Sequence, residues 1–354
     1  MNEEVVEQAL VELTDEGIFA VGGQAAVTVE GVVVADVGVG VTGSGMPLSA
    51  GDLHEVYCLI KPMPYLLLAH VMEGVGCGPD ELLESAFGLP DWCRSELTLR
   101  SLASHEAGLA HPQAILWRMT PPDQRPDLLG ASGDDRGPAY SELLGGLVAE
   151  HVIEQVTGMP ANQYCTDFLL KPLGLVDDII VDSEIGLEQR DRIRVPVSGL
   201  PVSPLPMLGG LLPSRINEVR LAFGALATMR GVAGYFAAVG RVLSGELLPG
   251  LPSPQLLGEL LDDDRPLRHD PTFDRPAKWA GGLIVDLDKQ GISQLAGSGS
   301  VGHVGGLANS AAVYDPTRKA SVAIYLNGVG ASFEDQALPR QRVMDRILDA
   351  IPVN

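Results

Sequence analysis

Asp52-Leu53-His54-Glu55-Val56-Tyr57-Cys58-Leu59-Ile60-Lys61-Pro62 sets a thiol three positions before a lysine, at the head of an apolar run long enough for a helix. Positions three apart lie on one helical face. Pro62 and Pro64 fit the first turn of such a helix, where backbone N–H groups have no intrahelical partner. A cysteine so placed feels the positive helix end and a neighbouring ammonium, and both lower a thiol pKa from its free value of ~8.5. The pair suits a nucleophile and its activator. On these residues alone, a buried structural cysteine beside a surface lysine is the simpler reading.

Working outward, residues 3–15 read as an acidic helix, followed by two Val/Ala-rich strands, Gln24–Glu30 and Val32–Val37, around a Glu30-Gly31 turn. From Lys61 to about Gly174 the apolar residues recur at helical spacing, as in Leu143, Leu147, Ile153 and Val156, with Gly158 as a C-cap. Residues 119–138 and 196–213 are Pro-rich and read as long loops. Ala222–Leu243 reads as a helix. Strands return at Trp279–Asp286, Ala308–Tyr314 and Ala320–Leu326, with turns at Lys289-Gln290-Gly291 and Asp315-Pro316, and the chain closes on an amphipathic helix. Strands at both ends with helices between imply that residues 1–60 and 275–354 build one sheet domain and that 61–274 form a mainly helical insertion. The fold class expected is α/β in the α+β sense, an antiparallel sheet flanked by helices, with the site where the two parts meet.

Composition narrows the function. The 354 residues are 45% hydrophobic and 20% charged, enough apolar content for a sizeable core. Lys plus Arg number 24 against 46 Asp plus Glu, a formal charge of −22 that a phosphate backbone or an anionic bilayer would repel. A small molecule or another protein, and neither nucleic acid nor membrane, is the expected partner. The opening Met1-Asn2-Glu3-Glu4 lacks a basic region followed by an apolar stretch, so a cytoplasmic location is expected. Cys58, Cys77, Cys93 and Cys165 are too few and scattered for a disulfide framework, and no C-x-x-C spacing suggests zinc. Two G-x-G-x-x-G matches, Gly38–Gly43 and Gly297–Gly302, open no helix and read as turns. His105 and His111 stand six apart where one helical face needs four, which disfavours a metal pair. No metal or organic cofactor is indicated.

Agreement along the whole chain shifts the reading of Cys58. The sequence resembles the serine beta-lactamase and penicillin-binding-protein-like superfamily, in particular the branch of class C beta-lactamases and related esterases and acyltransferases. Cys58-Leu59-Ile60-Lys61 stands in the place of that family's Ser-x-x-Lys. Leu97 to Leu109, with Ser104-His105, is similar to its T-L-R-x-L-L-S-H-x-S-G-L segment. Ile153-Glu154-Gln155-Val156-Thr157-Gly158 and Pro172-Leu173-Gly174-Leu175 are similar to its I-E-x-V-T-G and P-L-G-M runs, and Gly302-His303-Val304-Gly305-Gly306 with Asp315-Pro316 is similar to its G-H-x-G and D-P strand. The resemblance spans roughly residues 20 to 350.

The resemblance implies a beta-lactamase-like fold in which Cys58 is the nucleophile, Lys61 its base, Tyr140 the tyrosine of a Tyr-x-Asn motif, and His303, Gly305, Gly306 and Glu142 line the substrate cleft. The chain departs from the family at three places. Cys replaces Ser, so the acyl intermediate would be a thioester; Glu142 stands where Asn is usual, with Tyr140 about one residue out of register; and Gly305-Gly306-Leu307-Ala308-Asn309 spaces its glycines differently. The function expected is acyl transfer from a small-molecule donor, a carrier-bound acyl group being one form, to an amine or alcohol acceptor. Plain ester or amide hydrolysis, and a catalytically inactive binding protein, are the rival readings. His105 and His111 are expected to support packing, and the other cysteines to be core or surface thiols.

Overall fold

Glu30 and Gly31 both adopt positive φ, 51° and 79°, the geometry of a two-residue turn whose twist matches that of the strands it joins. That turn closes the hairpin of β1 (Gly22–Val29) and β2 (Val32–Gly40) behind helix α1 (Glu3–Asp15). The computed structural model describes residues 3–15, 22–42, 45–89, 93, 96–109, 139–141, 144–181, 193–194, 225–262, 264, 266–271, 274–305, 310–327 and 333–353. The first hairpin pairs with strands from the other end of the chain, β4 (Trp279–Ala280), β5 (Leu283–Ile284), β6 (Val301–Gly305), β7 (Ser310–Asp315) and β8 (Ala320–Leu326). They form one sheet in the order β2-β1-β8-β7-β6-β5-β4, antiparallel throughout. The short β3 (Leu53–Glu55) belongs to a separate small sheet.

Both faces of the large sheet are covered, and the pleat sorts its residues between them. Val322, Ile324 and Leu326 of β8 join a core with Val6 and Leu10 of α1 and with Met344 and Ile347 of the closing helix, Phe333–Asp349. Ala323 and Tyr325, one position out of phase, join the larger core on the opposite face, where helix Met229–Leu243 lies against β1, β7 and β8. Gly240 of that helix leaves room for the Tyr314 ring, into which a Cβ would run. Helix α2 (Pro62–Gly74) is buried around most of its circumference and packs against Leu144–Thr157, which ends at Gly158 with φ of 69°. No described helix is long and apolar enough to cross a membrane.

The expected architecture, an antiparallel sheet flanked by helices, is the one observed. Three local readings are corrected. The helix expected over Ala222–Leu243 starts at Met229, because Leu226–Ala227 is a strand and the Thr228 hydroxyl caps the helix by accepting from the Gly231 N–H. Gly38, Gly40 and Gly302 lie in strands instead of turns; a Cβ at Gly38 would come within 2.7 Å of the Ala50 nitrogen, so this glycine admits the chain that crosses it. The single strand expected over Trp279–Asp286 is broken after Ala280, since Gly281 and Gly282 take φ of 60° and 77° and form a second tight hairpin. The loops read at 119–138 and 196–213 and Leu143 lie outside the described residues.

Gly240→Ala should lower the urea midpoint of unfolding. Alanine gains up to ~1 kcal/mol of helix propensity, but forcing a methyl into a packed ring costs roughly 1–3 kcal/mol. An unchanged or higher midpoint would mean that the contact with Tyr314 is loose.

Candidate active site

Local chemistry explains the shape of the Cys58 segment. In an α-helix the Cys58 carbonyl would accept from the N–H of residue 62, but Pro62 has none, and the Lys61 N–H takes that carbonyl at 3.0 Å instead. Tyr57–Ile60 is consequently a 3-10 turn, and α2 begins only at Pro62. The sequence reading put Cys58 at the α-helix head; it sits one tight turn earlier. A 3-10 turn has three residues per turn, so Cys58 and Lys61 still share one side.

Leu59 and Ile60 anchor the turn in the core with no exposure, while Cys58 is half-buried and touches both core clusters, where sheet and helices meet. Strand β6 closes on this turn at Gly305, where a Cβ would stand 2.7 Å from the Val56 carbonyl oxygen and collide with the Ser310 hydroxyl. Tyr65 of α2 faces the same place: burial pushes its phenol above the usual range, and the charge of Cys58 adds to the effect.

Lys61 is buried, and its Nζ lies 5.3 Å from the centroid of the Tyr140 ring, within reach of a cation–π attraction. Tyr140 stacks on Trp279 with centroids 4.7 Å apart. His105 lies 4.8 Å from both rings, and His303 lies 5.9 Å from Tyr140 and 5.4 Å from Trp279. The result is an aromatic and imidazole box around one ammonium.

Backbone contacts set the tautomers of the two histidines. His303 Nδ1 is 2.9 Å from the Val304 carbonyl and must donate to it, leaving Nε2 as an acceptor. His105 Nδ1 accepts from the Ser141 N–H at 3.2 Å, so its Nε2 carries the proton. Both Nε2 atoms are buried without a hydrogen-bond partner among the described residues. Burial, reinforced by Lys61 and opposed by the Val304 hydrogen bond, holds the His303 imidazole down at about 3. Burial also holds His105 well below the usual histidine range, with His303 and Lys61 adding to the effect. Two neutral rings therefore stand beside the lysine.

Of the residues singled out from sequence, the structure brings Cys58, Lys61, Tyr140, His303 and Gly305 to one place. Glu142, Gly306 and His111 lie outside the described residues. Sequence reasoning passed over Trp279 and Tyr65; His105, expected to support packing, packs its ring against Tyr140, on a backbone with φ of 56°. The other thiols sit in surroundings that oppose ionisation. Burial and Glu81 push Cys77 up to about 11, burial and Glu84 push Cys93 up to about 12, and burial raises Cys165. Among the described residues no cluster of three metal-ligating side chains occurs.

A family model described as Beta-lactamase matches residues 10–343. Among solved structures, a penicillin-binding protein homologue from Caulobacter crescentus superposes with TM-score 0.75 at 18% identity, over 98% of this chain and 97% of that one. A family VIII carboxylesterase gives TM-score 0.75 at 18% identity, over 97% and 96% of the two chains. EstCE1, a hydrolase with promiscuous acyltransferase activity, gives TM-score 0.68 at 17% identity, over 96% and 98%. At such identities the likeness is one of fold. No curated protein sequence matches the chain.

The buried histidines give stability a pH dependence of fixed sign. In the unfolded chain His303 titrates near ~6.5, whereas the folded protein refuses that proton down to about 3. As pH falls through this window the unfolded state alone gains protons, so stability is lost progressively. His303→Asn should flatten the decline in urea midpoint between about pH 7 and about pH 5. A decline as steep as in the parent protein would show that His303 is not the source.

Proposed function

The chain belongs to the beta-lactamase family over residues 10–343, and on that premise we propose that it is an acyltransferase working through a thioester on Cys58. The observation that carries the reading is the meeting of Cys58 and Lys61 on one tight turn with Tyr140 and the end of β6. Cys58 Sγ gives its proton to the neutral Lys61 amine and attacks the carbonyl carbon of an ester, thioester or amide as the thiolate. The Lys61 ammonium so formed holds the proton, and the Tyr140 hydroxyl relays it by giving up one proton as it takes another. The oxyanion rests on the Cys58 N–H and on an N–H near the end of β6, since donors fixed in advance are usually the largest single contribution to such catalysis. Collapse of the tetrahedral species breaks the bond to the leaving group, which takes the stored proton. An amine or alcohol then attacks the thioester and gives its proton to the same groups, and the C–S bond breaks to regenerate the thiol.

One chemical argument favours transfer over hydrolysis. A thioester is aminolysed more readily, relative to hydrolysis, than an oxygen ester, so replacing serine by cysteine favours an amine acceptor. A cytoplasmic setting, expected from the sequence, suits a biosynthetic role better than cell-wall or antibiotic chemistry. Plain esterase activity is the second reading, favoured by the fold shared with the family VIII carboxylesterase.

Intact-mass measurement after exposure to activated acyl esters and thioesters should show one acyl increment mapping to Cys58 and absent in Cys58→Ala. Lys61→Met should slow its formation by ~10²-fold or more, the usual weight of a general base. Cys58→Ser should shift the products from transfer toward hydrolysis. No increment from any donor class would favour a binding protein, and an unchanged partition in Cys58→Ser would remove the thioester argument.

A further inference from the structure

The segment that carries Tyr140 is held at three consecutive backbone N–H groups. Ala139 donates to the His105 carbonyl at 2.9 Å, Tyr140 to Asp270 Oδ2 at 2.9 Å, and Ser141 to His105 Nδ1 at 3.2 Å. The same Asp270 oxygen also accepts from the Trp279 indole N–H at 3.0 Å, and that indole is the plate on which the Tyr140 ring stacks. One carboxylate thus fixes the tyrosine twice, through its backbone and through the ring beneath it.

Asp270 is only 1% exposed and lies at the end of the short strand Arg268–Asp270, paired with Arg275–Ala277, just before β4. Burying a carboxylate is costly unless its oxygens are satisfied, and an apolar side chain of similar size would fill the space without that cost. What it could not do is join Tyr140 to Trp279. The bond to Tyr140 spans 130 residues and reaches a two-stranded ribbon; the bond from the Trp279 indole then joins Asp270 to the large sheet on which His303 stands.

We propose that Asp270 is a positioning residue for Tyr140, setting the orientation in which its ring faces Lys61 beside the Cys58 turn. It holds the Tyr140 backbone and the Trp279 indole and acts through them. The proposal rests on the reading of Cys58, Lys61 and Tyr140 as the reacting set, and its test separates the two.

Asp270→Ala removes the shared acceptor, and Asp270→Asn keeps an oxygen able to accept both bonds. Acylation of Cys58 by an activated ester would be followed by mass spectrometry on protein whose folded fraction is fixed by circular dichroism. Asp270→Ala should acylate ~10–100-fold more slowly, with little change in the donor concentration for half-maximal rate, because misplacement of about 1 Å can cost that much. Asp270→Asn should recover most of the loss.

A second readout needs no reaction. With fluorotyrosine at the seven tyrosines, the 19F resonance missing from Tyr140→Phe should shift or broaden in Asp270→Ala and return in Asp270→Asn. If Asp270→Ala does not fold, Trp279→Phe, which keeps a plate but loses the indole donor, should move the resonance and slow acylation in the same sense. A wild-type rate in a folded Asp270→Ala, or an unmoved Tyr140 resonance, would overturn the proposal. Failure of the parent protein to acylate with any donor would sink the catalytic reading, and the resonance would still decide whether Asp270 holds the tyrosine.

Discussion

The arrangement depends on an ammonium kept in a nearly water-free box. Lys61 is buried and faces the π-electrons of Tyr140, while the nearest imidazoles, His105 and His303, are held neutral. A charge removed from water interacts more strongly with any anion formed next to it. The anion available is the thiolate of Cys58, three residues away on a turn that Pro62 forces to be tight. Neutral histidines matter here because a second positive charge in the same box would oppose the first.

The fold supplies the box through close approaches that only glycine permits. Gly305 lets β6 touch the turn that carries Cys58. Gly282, whose Cβ would stand 2.6 Å from a ring carbon of Tyr65, lets the tip of the β4–β5 hairpin reach α2, and its N–H donates to the Ala103 carbonyl beside His105. Sheet and helices therefore meet at the level of the backbone. The site lies at this seam, with Cys58 in contact with the cores on both sides.

What could be read in the sequence was what local chemistry decides. The Glu30-Gly31 turn and the hairpin around it follow from a glycine between two β-branched runs, and the Cys58–Lys61 pairing follows from spacing alone. The break at Gly281-Gly282 was missed because the flanking Trp279–Ala280 and Leu283–Ile284 are apolar enough to read as one strand. The start of the helix at Met229 was missed because Leu226–Ala227 carries no polar punctuation, and only the Thr228 cap marks the change. The remainder of the site was hidden for a different reason. His105 meets Ser141 from 36 residues away, and Asp270 meets Tyr140 from 130, distances over which spacing carries no signal. Tyr140 itself came from the resemblance despite Glu142 standing where Asn is usual, and its ring faces Lys61.

The pH dependence of Cys58 alkylation by iodoacetamide, compared with the same protein carrying Lys61→Met, probes the thiol and ammonium directly and needs no knowledge of the substrate. If the two groups form the pair described, the thiol should ionise below its free value of ~8.5 in the parent protein and at distinctly higher pH in Lys61→Met. Identical profiles in the two proteins would contradict the account at its centre.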